Sequence, residues 1–174
     1  MPSLSGFPAA KQEDPNSCWA CASREISNYY KSLGKGGKNE MYSSDKELAA
    51  AWSKITGKPG NADISIQQSA SAALGDLGYT NSADSAPVPT VGEITDAIND
   101  KKPLLAIVGS TDPKGKRKLG YQQGHWVVIT GISDKGDLIE VFDPDSGKIE
   151  TVAYSSQVYK SGMFWQNTSY VDGQ

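Results

Sequence analysis

Apolar residues recur along this chain with two different periods, and the change from one to the other divides it into halves. Trp19, Ala22, Ile26, Tyr29/Tyr30 and Leu33 fall at helical spacing. They predict a helix from Cys18 to about Leu33, capped by Ser17 and stopped by Gly34. Cys18 lies about 100° from Trp19 around that helix, in its first turn, which predicts a lip position between core and solvent. Ser44-Asp45-Lys46-Glu47 has the form of a capping box for a helix to about Ile55, ended by Gly57 and Pro59. Ile64 to Leu77 predicts another helix, stopped at Gly78. Thr90-Val91-Gly92-Glu93 predicts a second capping box, for a helix to about Asn99. Between these two, residues 80–89 are rich in Ser, Ala, Asp and Pro and read as a linker crossing from one half to the other.

Beyond residue 100 the pattern shortens to strands. Leu104–Val108 is an apolar run bounded by Pro103 and Gly109, the form of a buried strand. His125–Ile132 and Leu138–Phe142 are joined through Asp134-Lys135-Gly136-Asp137, a hairpin turn. Ile149–Tyr154 and Gly162–Tyr170 predict further strands. A helical first half and an antiparallel second half predict an α+β fold. We expect one domain over residues 1–174, with a helical lobe over about 1–100, a β-sheet lobe over about 103–174, and a cleft between them.

Composition narrows the function without naming it. With 174 residues, 37 % hydrophobic and 21 % charged, the chain fits one globular domain. A net charge of −3 gives no general attraction to nucleic acid or an anionic membrane, so neither is expected as a partner. No stretch approaches the roughly 20 apolar residues of a membrane span. The opening Met-Pro-Ser-Leu-Ser-Gly-Phe-Pro lacks the charged and apolar regions of a secretory signal, and with Pro2 in place no myristoylation is expected at that position. The two cysteines give no disulfide framework.

The chemistry lies in a pairing between the two halves. Cys18 is placed at a helix start, where unpaired amides favour a thiolate, and the chain has a single histidine, His125, to act on it. A thiol nucleophile needs such a base. Gln12, upstream on a turn-forming link, can converge with the Cys18 backbone N–H on a developing oxyanion. Asp143 ends the strand that pairs with the His125 strand and is the best candidate to orient the imidazole, with Asp145 and Glu140 as alternatives. Asp-Pro-Asp-Ser-Gly is also strong turn chemistry in its own right.

Gln12, Cys18-Trp19-Ala20 opening a helix, Gly124-His125-Trp126 opening a strand, and Val-Phe-Asp143-Pro together resemble the papain-like cysteine peptidases. The likeness is greatest to their compact bacterial branch, the Cys-His-Asp effector and toxin peptidases and the leader-cleaving domains of bacteriocin exporters. It implies Cys18 as nucleophile, His125 as base, Asp143 as orienter and Gln12 as oxyanion donor, with no cofactor and no metal. It further implies a protein substrate and a cognate inhibitor or immunity protein. Synthesis would be in a bacterial cytoplasm without a cleavable signal, followed by secretion or translocation into a target cell. The chain departs from plant and lysosomal papains in having Pro15-Asn16-Ser17 before the nucleophile and Asp143 where those enzymes carry Asn.

Other readings compete for the same residues. Deamidation or transglutamination of a protein glutamine needs the same thiolate and oxyanion site. Cys18 and Cys21 have the spacing of a dithiol oxidoreductase, but the segment before them is polar and turn-rich where those motifs follow a buried strand. Cys21 is expected to be an incidental thiol pointing away from the apolar stripe. Two cysteines and one histidine are one ligand short of a closed zinc site. The basic run Lys114–Lys118 is expected to be a solvated loop, with a role at the cleft rim as the sharper alternative, and Tyr121 is a candidate to line that cleft.

Overall fold

The computed structural model describes residues 1–36, 41–83, 88–109, 124–155, 158–160 and 163–173. The basic run Lys114–Lys118 and Tyr121 lie outside them. Among the described residues there are four α-helices, α1 (Cys18–Ser32), α2 (Asp45–Thr56), α3 (Ala70–Asp76) and α4 (Val91–Asn99), with a 3-10 turn at Pro59–Ala62. The strands are β1 (Thr80–Ala83), β2 (Leu104–Gly109), β3 (His125–Ile132), β4 (Leu138–Asp143), β5 (Lys148–Ala153), β6 (Val158–Lys160) and β7 (Met163–Asp172). This is the expected α+β arrangement, an N-terminal helical region followed by an antiparallel sheet.

Helix ends follow local chemistry in most cases. At the end of α1, the Lys35 amide bonds the Tyr30 carbonyl at 2.9 Å and the Gly34 amide bonds that of Lys31 at 3.0 Å. Gly34 adopts φ +72°, which makes this a Schellman stop. Thr90 and Glu93 complete the capping box of α4 in both directions. In α2, Ser44 caps as expected, but Glu47 reaches back one residue further, to the Ser43 amide at 2.8 Å. Ser17 is the exception: it precedes α1 without capping it. Its hydroxyl oxygen accepts the Asp14 amide at 3.1 Å and its proton goes to the Asp45 carboxylate at 2.7 Å, a charge-assisted bond, so the side chain is held away from the first-turn amides.

Two further expectations fail for tertiary reasons. The helix predicted from Ile64 begins only at Ala70. Its first residues stay irregular because their carbonyls face side-chain donors from elsewhere: Asn16 to Ser65 at 2.8 Å, Trp19 to Ile66 at 3.0 Å and Trp126 to Gln68 at 3.1 Å. These bonds to distant donors satisfy the carbonyls without helical structure in this stretch. The segment read as a linker begins with β1, an edge strand paired antiparallel with the end of β7, Thr80 opposite Asp172. Pairing partners so distant in sequence leave no local signature.

The sheet runs in the order β1-β7-β2-β3-β4-β5, with β6 also beside β7. β2 is central, between β7 and β3, which explains its unbroken apolar run. Past Ile129 the free flank of β3 is taken by the N-terminal arm: the Leu4 amide bonds the Thr130 carbonyl at 2.8 Å and the Ile132 amide bonds that of Pro2 at 3.0 Å. The core joins both regions. Trp19 and Trp52 pack with ring centroids 5.2 Å apart between α1 and α2, and Ile94, Ala97 and Ile98 are the buried side of α4, which packs against β3. No helix among the described residues is long and apolar enough to cross a membrane.

Removing the Thr90 hydroxyl deletes one arm of the only complete capping box among the described helices. Thr90→Ala should lower stability by about 1 kcal/mol in urea unfolding, and Thr90→Ser should recover most of it.

Candidate active site

Cys18 is the first residue of α1, so its backbone N–H has no acceptor within the helix. Its side chain is 2 % exposed, buried where a lip position was expected. The reason is the opposing wall: His125, itself 2 % exposed, closes over the helix start and hydrogen-bonds the thiol. Gly124, at φ +87°, makes the turn that delivers His125 to the start of β3.

The second nitrogen of the ring is held by Asp143. His125 Nε2 lies 2.7 Å from Asp143 Oδ1, leaving Nδ1 for the sulfur. This pairing depends on one extra residue in β3. Near the hairpin turn Ile132 faces Ile139 and Gly131 faces Glu140, but beyond Thr130 the register changes, so that Ile129 faces Val141 and Val128 faces Phe142. One step further, Asp143 stands across from Val127, on the same face as His125. Without the bulge at Thr130, Asp143 would stand across from Val128 and point to the opposite face. Asp143 also does the turn work its sequence suggests: it accepts the Asp145 amide at 3.0 Å on the same carboxylate and the Gly147 amide at 2.8 Å on its carbonyl. Asp145 and Glu140, the alternatives for this position, make no bond to the imidazole among the described contacts.

A third contact to Asp143 was not legible in the sequence. Lys160, in the short strand β6, places Nζ 3.3 Å from Asp143 Oδ2 and 2.7 Å from Glu150 Oε2. A lone lysine in a polar stretch carries no signal of such a role, and only the return of β6 beside β7 brings it there.

Gln12 lies on the loop leading to Cys18, and its amide nitrogen bonds the carbonyls of Asp14 at 2.9 Å and Pro15 at 3.0 Å. Both N–H groups are thereby committed to the loop's own backbone, and its Oε1 is buried without a partner among the described residues. The free donor expected there is not presented in this arrangement, because the turn at Asp14-Pro15 folds its carbonyls back on the amide. The Gln12 backbone amide meets the Pro144 carbonyl at 2.9 Å, so this loop abuts the turn that follows Asp143.

Cys21 is fully buried within the core instead of pointing away from it. Its thiol donates to the Ala10 carbonyl at 3.1 Å. Burial, reinforced by the nearby Asp45 carboxylate, pushes its pKa far above the ordinary thiol range. A thiol so held is a poor attacking group, which counts against dithiol exchange. Among the described residues no group of three or more His, Cys, Asp and Glu is placed to hold a metal ion.

The electrostatics set one ion pair apart. Burial alone would lower the pKa of His125, but its bonds to Asp143 and Cys18 and their charges outweigh it and raise the value from 6.5 to about 9. Burial would raise Asp143, but the His125 bond and charge, the Asp145 amide and Lys160 hold it down at about 2. A raised histidine stabilises the fold fully below 6.5 and loses that contribution as pH climbs through about 9. A depressed aspartate contributes fully above 3.8 and loses it as pH falls through about 2. Because the chain has one imidazole, its NMR titration is unambiguous and should centre near 9. Asp143→Asn should move that midpoint down by about one unit or more. Denaturation midpoints should fall from pH 6.5 to 9 in the wild type, and His125→Gln should flatten that slope.

A helix-borne thiol, one imidazole and a buried carboxylate in sequence are the parts of a thiol hydrolase. No curated protein sequence matches the chain. The model of the Peptidase_C39 like family matches residues 4–172, nearly its whole length, and the chain belongs to that family of cysteine peptidases.

Proposed function

We propose that the protein is a papain-like endopeptidase that cleaves a protein substrate through an acyl-enzyme. The observation that carries this is the double engagement of its sole histidine, by Asp143 at Nε2 and by the Cys18 thiol on the other side. In this mechanism the Cys18 proton resides on His125, and the thiolate attacks the scissile carbonyl. The oxyanion is met by the Cys18 backbone N–H and by Gln12, which exchanges one of its loop carbonyls for the developing charge. That exchange costs about one ordinary hydrogen bond and is repaid by a charge-assisted one. His125 then protonates the departing amine, and water, with its proton taken by the same ring, hydrolyses the thioester. Asp143 holds the ring so that one nitrogen faces the sulfur throughout.

The likeness to bacterial effector and toxin peptidases extends the proposal. The protein target then lies in another cell, reached by a specialised delivery system, and a cognate inhibitor protects the producer. That extension rests on resemblance, whereas the peptidase reading rests on the site.

Comparing new protein N-termini in a proteome treated with wild type or Cys18→Ala should show cleavages with the wild type alone. Deamidated glutamines in intact chains, without new termini, would instead favour acyl transfer to water at a side chain. On a cleaved substrate, Cys18→Ala and His125→Ala should each reduce kcat by about 10⁴-fold or more, and Gln12→Ala by about 10²-fold.

A further inference from the structure

Beneath the nucleophile lies a buried group of charges that the mechanism above does not use. Asp45 is fully buried, and Arg24 and Glu25 are 3 % and 2 % exposed. Asp45 Oδ2 accepts the Glu13 amide at 2.9 Å and the Ser17 hydroxyl at 2.7 Å. Its other oxygen, Oδ1, faces Arg24 Nη1 at 3.1 Å, an ion pair without hydrogen-bond alignment. Arg24 Nε is bonded to Glu25 at 2.7 Å, and its Nη2 reaches the Cys21 sulfur at 3.5 Å. Cys21 in turn donates to the Ala10 carbonyl.

The contacts of this group are distributed in a telling way. Glu13 directly follows Gln12, and Ser17 directly precedes Cys18. One carboxylate oxygen therefore grips both ends of the short loop that separates the oxyanion amide from the sulfur. The chain ahead of Gln12 is held as well, through Ala10. Burying such ions is expensive, and well-packed apolar residues would commonly be at least as stable. A purely stabilising role does not explain why both oxygen-directed donors come from this one loop.

We infer that Asp45, backed by Arg24, is a positioning residue that sets the spacing between Gln12 and the Cys18 backbone N–H, and so shapes the oxyanion site without touching substrate. This rests on the peptidase reading and deepens it. The carboxylate comes from the first turn of α2, an element otherwise remote from the chemistry, so the site's geometry is fixed by the docking of α2 on α1.

Two reactions of the same sulfur separate this role from general support of the fold. Acylation by p-nitrophenyl acetate forms a thioester, expels p-nitrophenolate and passes through an oxyanion. Alkylation by iodoacetamide forms a thioether, expels iodide and has no oxyanion. In Ser17→Ala and Asp45→Asn, acylation of Cys18 should slow by about tenfold or more while alkylation stays within about twofold of wild type. Ser17→Thr should restore acylation. If both reactions fall together in the two variants, or neither changes, the positioning role is overturned. If wild type itself shows no acylation above the Cys18→Ala background, the peptidase reading fails first and takes this inference with it. Ser17→Ala takes away the hydroxyl's bonds to Asp45 and Asp14 but leaves the buried Asp45–Arg24 pair in place, and so keeps the test decisive should Asp45→Asn fail to fold.

Discussion

A single imidazole has two nitrogens, and here both are assigned. The 2.7 Å bond between Nε2 and Asp143, made out of water, fixes the ring plane and leaves its other nitrogen facing the start of α1. Much of the surrounding architecture serves that one contact. β2 and β4 flank the histidine strand, the N-terminal arm takes up its free edge, and Lys160 offsets the charge on the far oxygen of the carboxylate. Because thiol and ring come from opposite halves of the chain, no local sequence preference can bring them together. Packing between helices and sheet must do it.

Residues 65–68 form a physical tie across that divide. Their carbonyls take side-chain donors from Asn16 and Trp19 on the nucleophile side and from Trp126 on the histidine side. Gln67 adds a bond to the Gly124 carbonyl at 3.5 Å, directly before His125. The segment gives up helical structure of its own and in exchange joins the two walls. Irregular backbone is thus concentrated where the halves meet, as is common at sites that must hold groups from distant segments.

What could be read from the chain was what local chemistry decides. The stripe from Trp19 to Leu33, the cap at Ser44, the box at Thr90, and the turn between β3 and β4 each carry their own instructions, and each formed near its predicted bounds. Cys18, His125 and Asp143 were legible because few residues could compete: one histidine, two cysteines, and an aspartate at the end of the neighbouring strand. What escaped depends on distant partners. Asp45 carries no signal beyond its place in the Ser44-Asp45-Lys46-Glu47 segment, yet it is fully buried against Arg24. Ser17 reads as a cap, but its hydroxyl answers a carboxylate on another helix. β1 has no strand signature, because its order comes from the β7 edge. The fate of the Gln12 amide is likewise set by how one turn closes, which residue type cannot reveal.

The bulge at Thr130 gives the hairpin an arithmetic of parity. Adding or removing one residue between His125 and Ile132, or between Leu138 and Asp143, turns the carboxylate to the wrong side of the sheet. Two such changes, one on each strand, cancel. Residues of the connecting turn, 133–137, lie outside this count, so the tip can lengthen or shorten without consequence for the imidazole. Related chains can therefore vary freely at the hairpin tip, but must conserve the odd residue in one strand or compensate for it in the other.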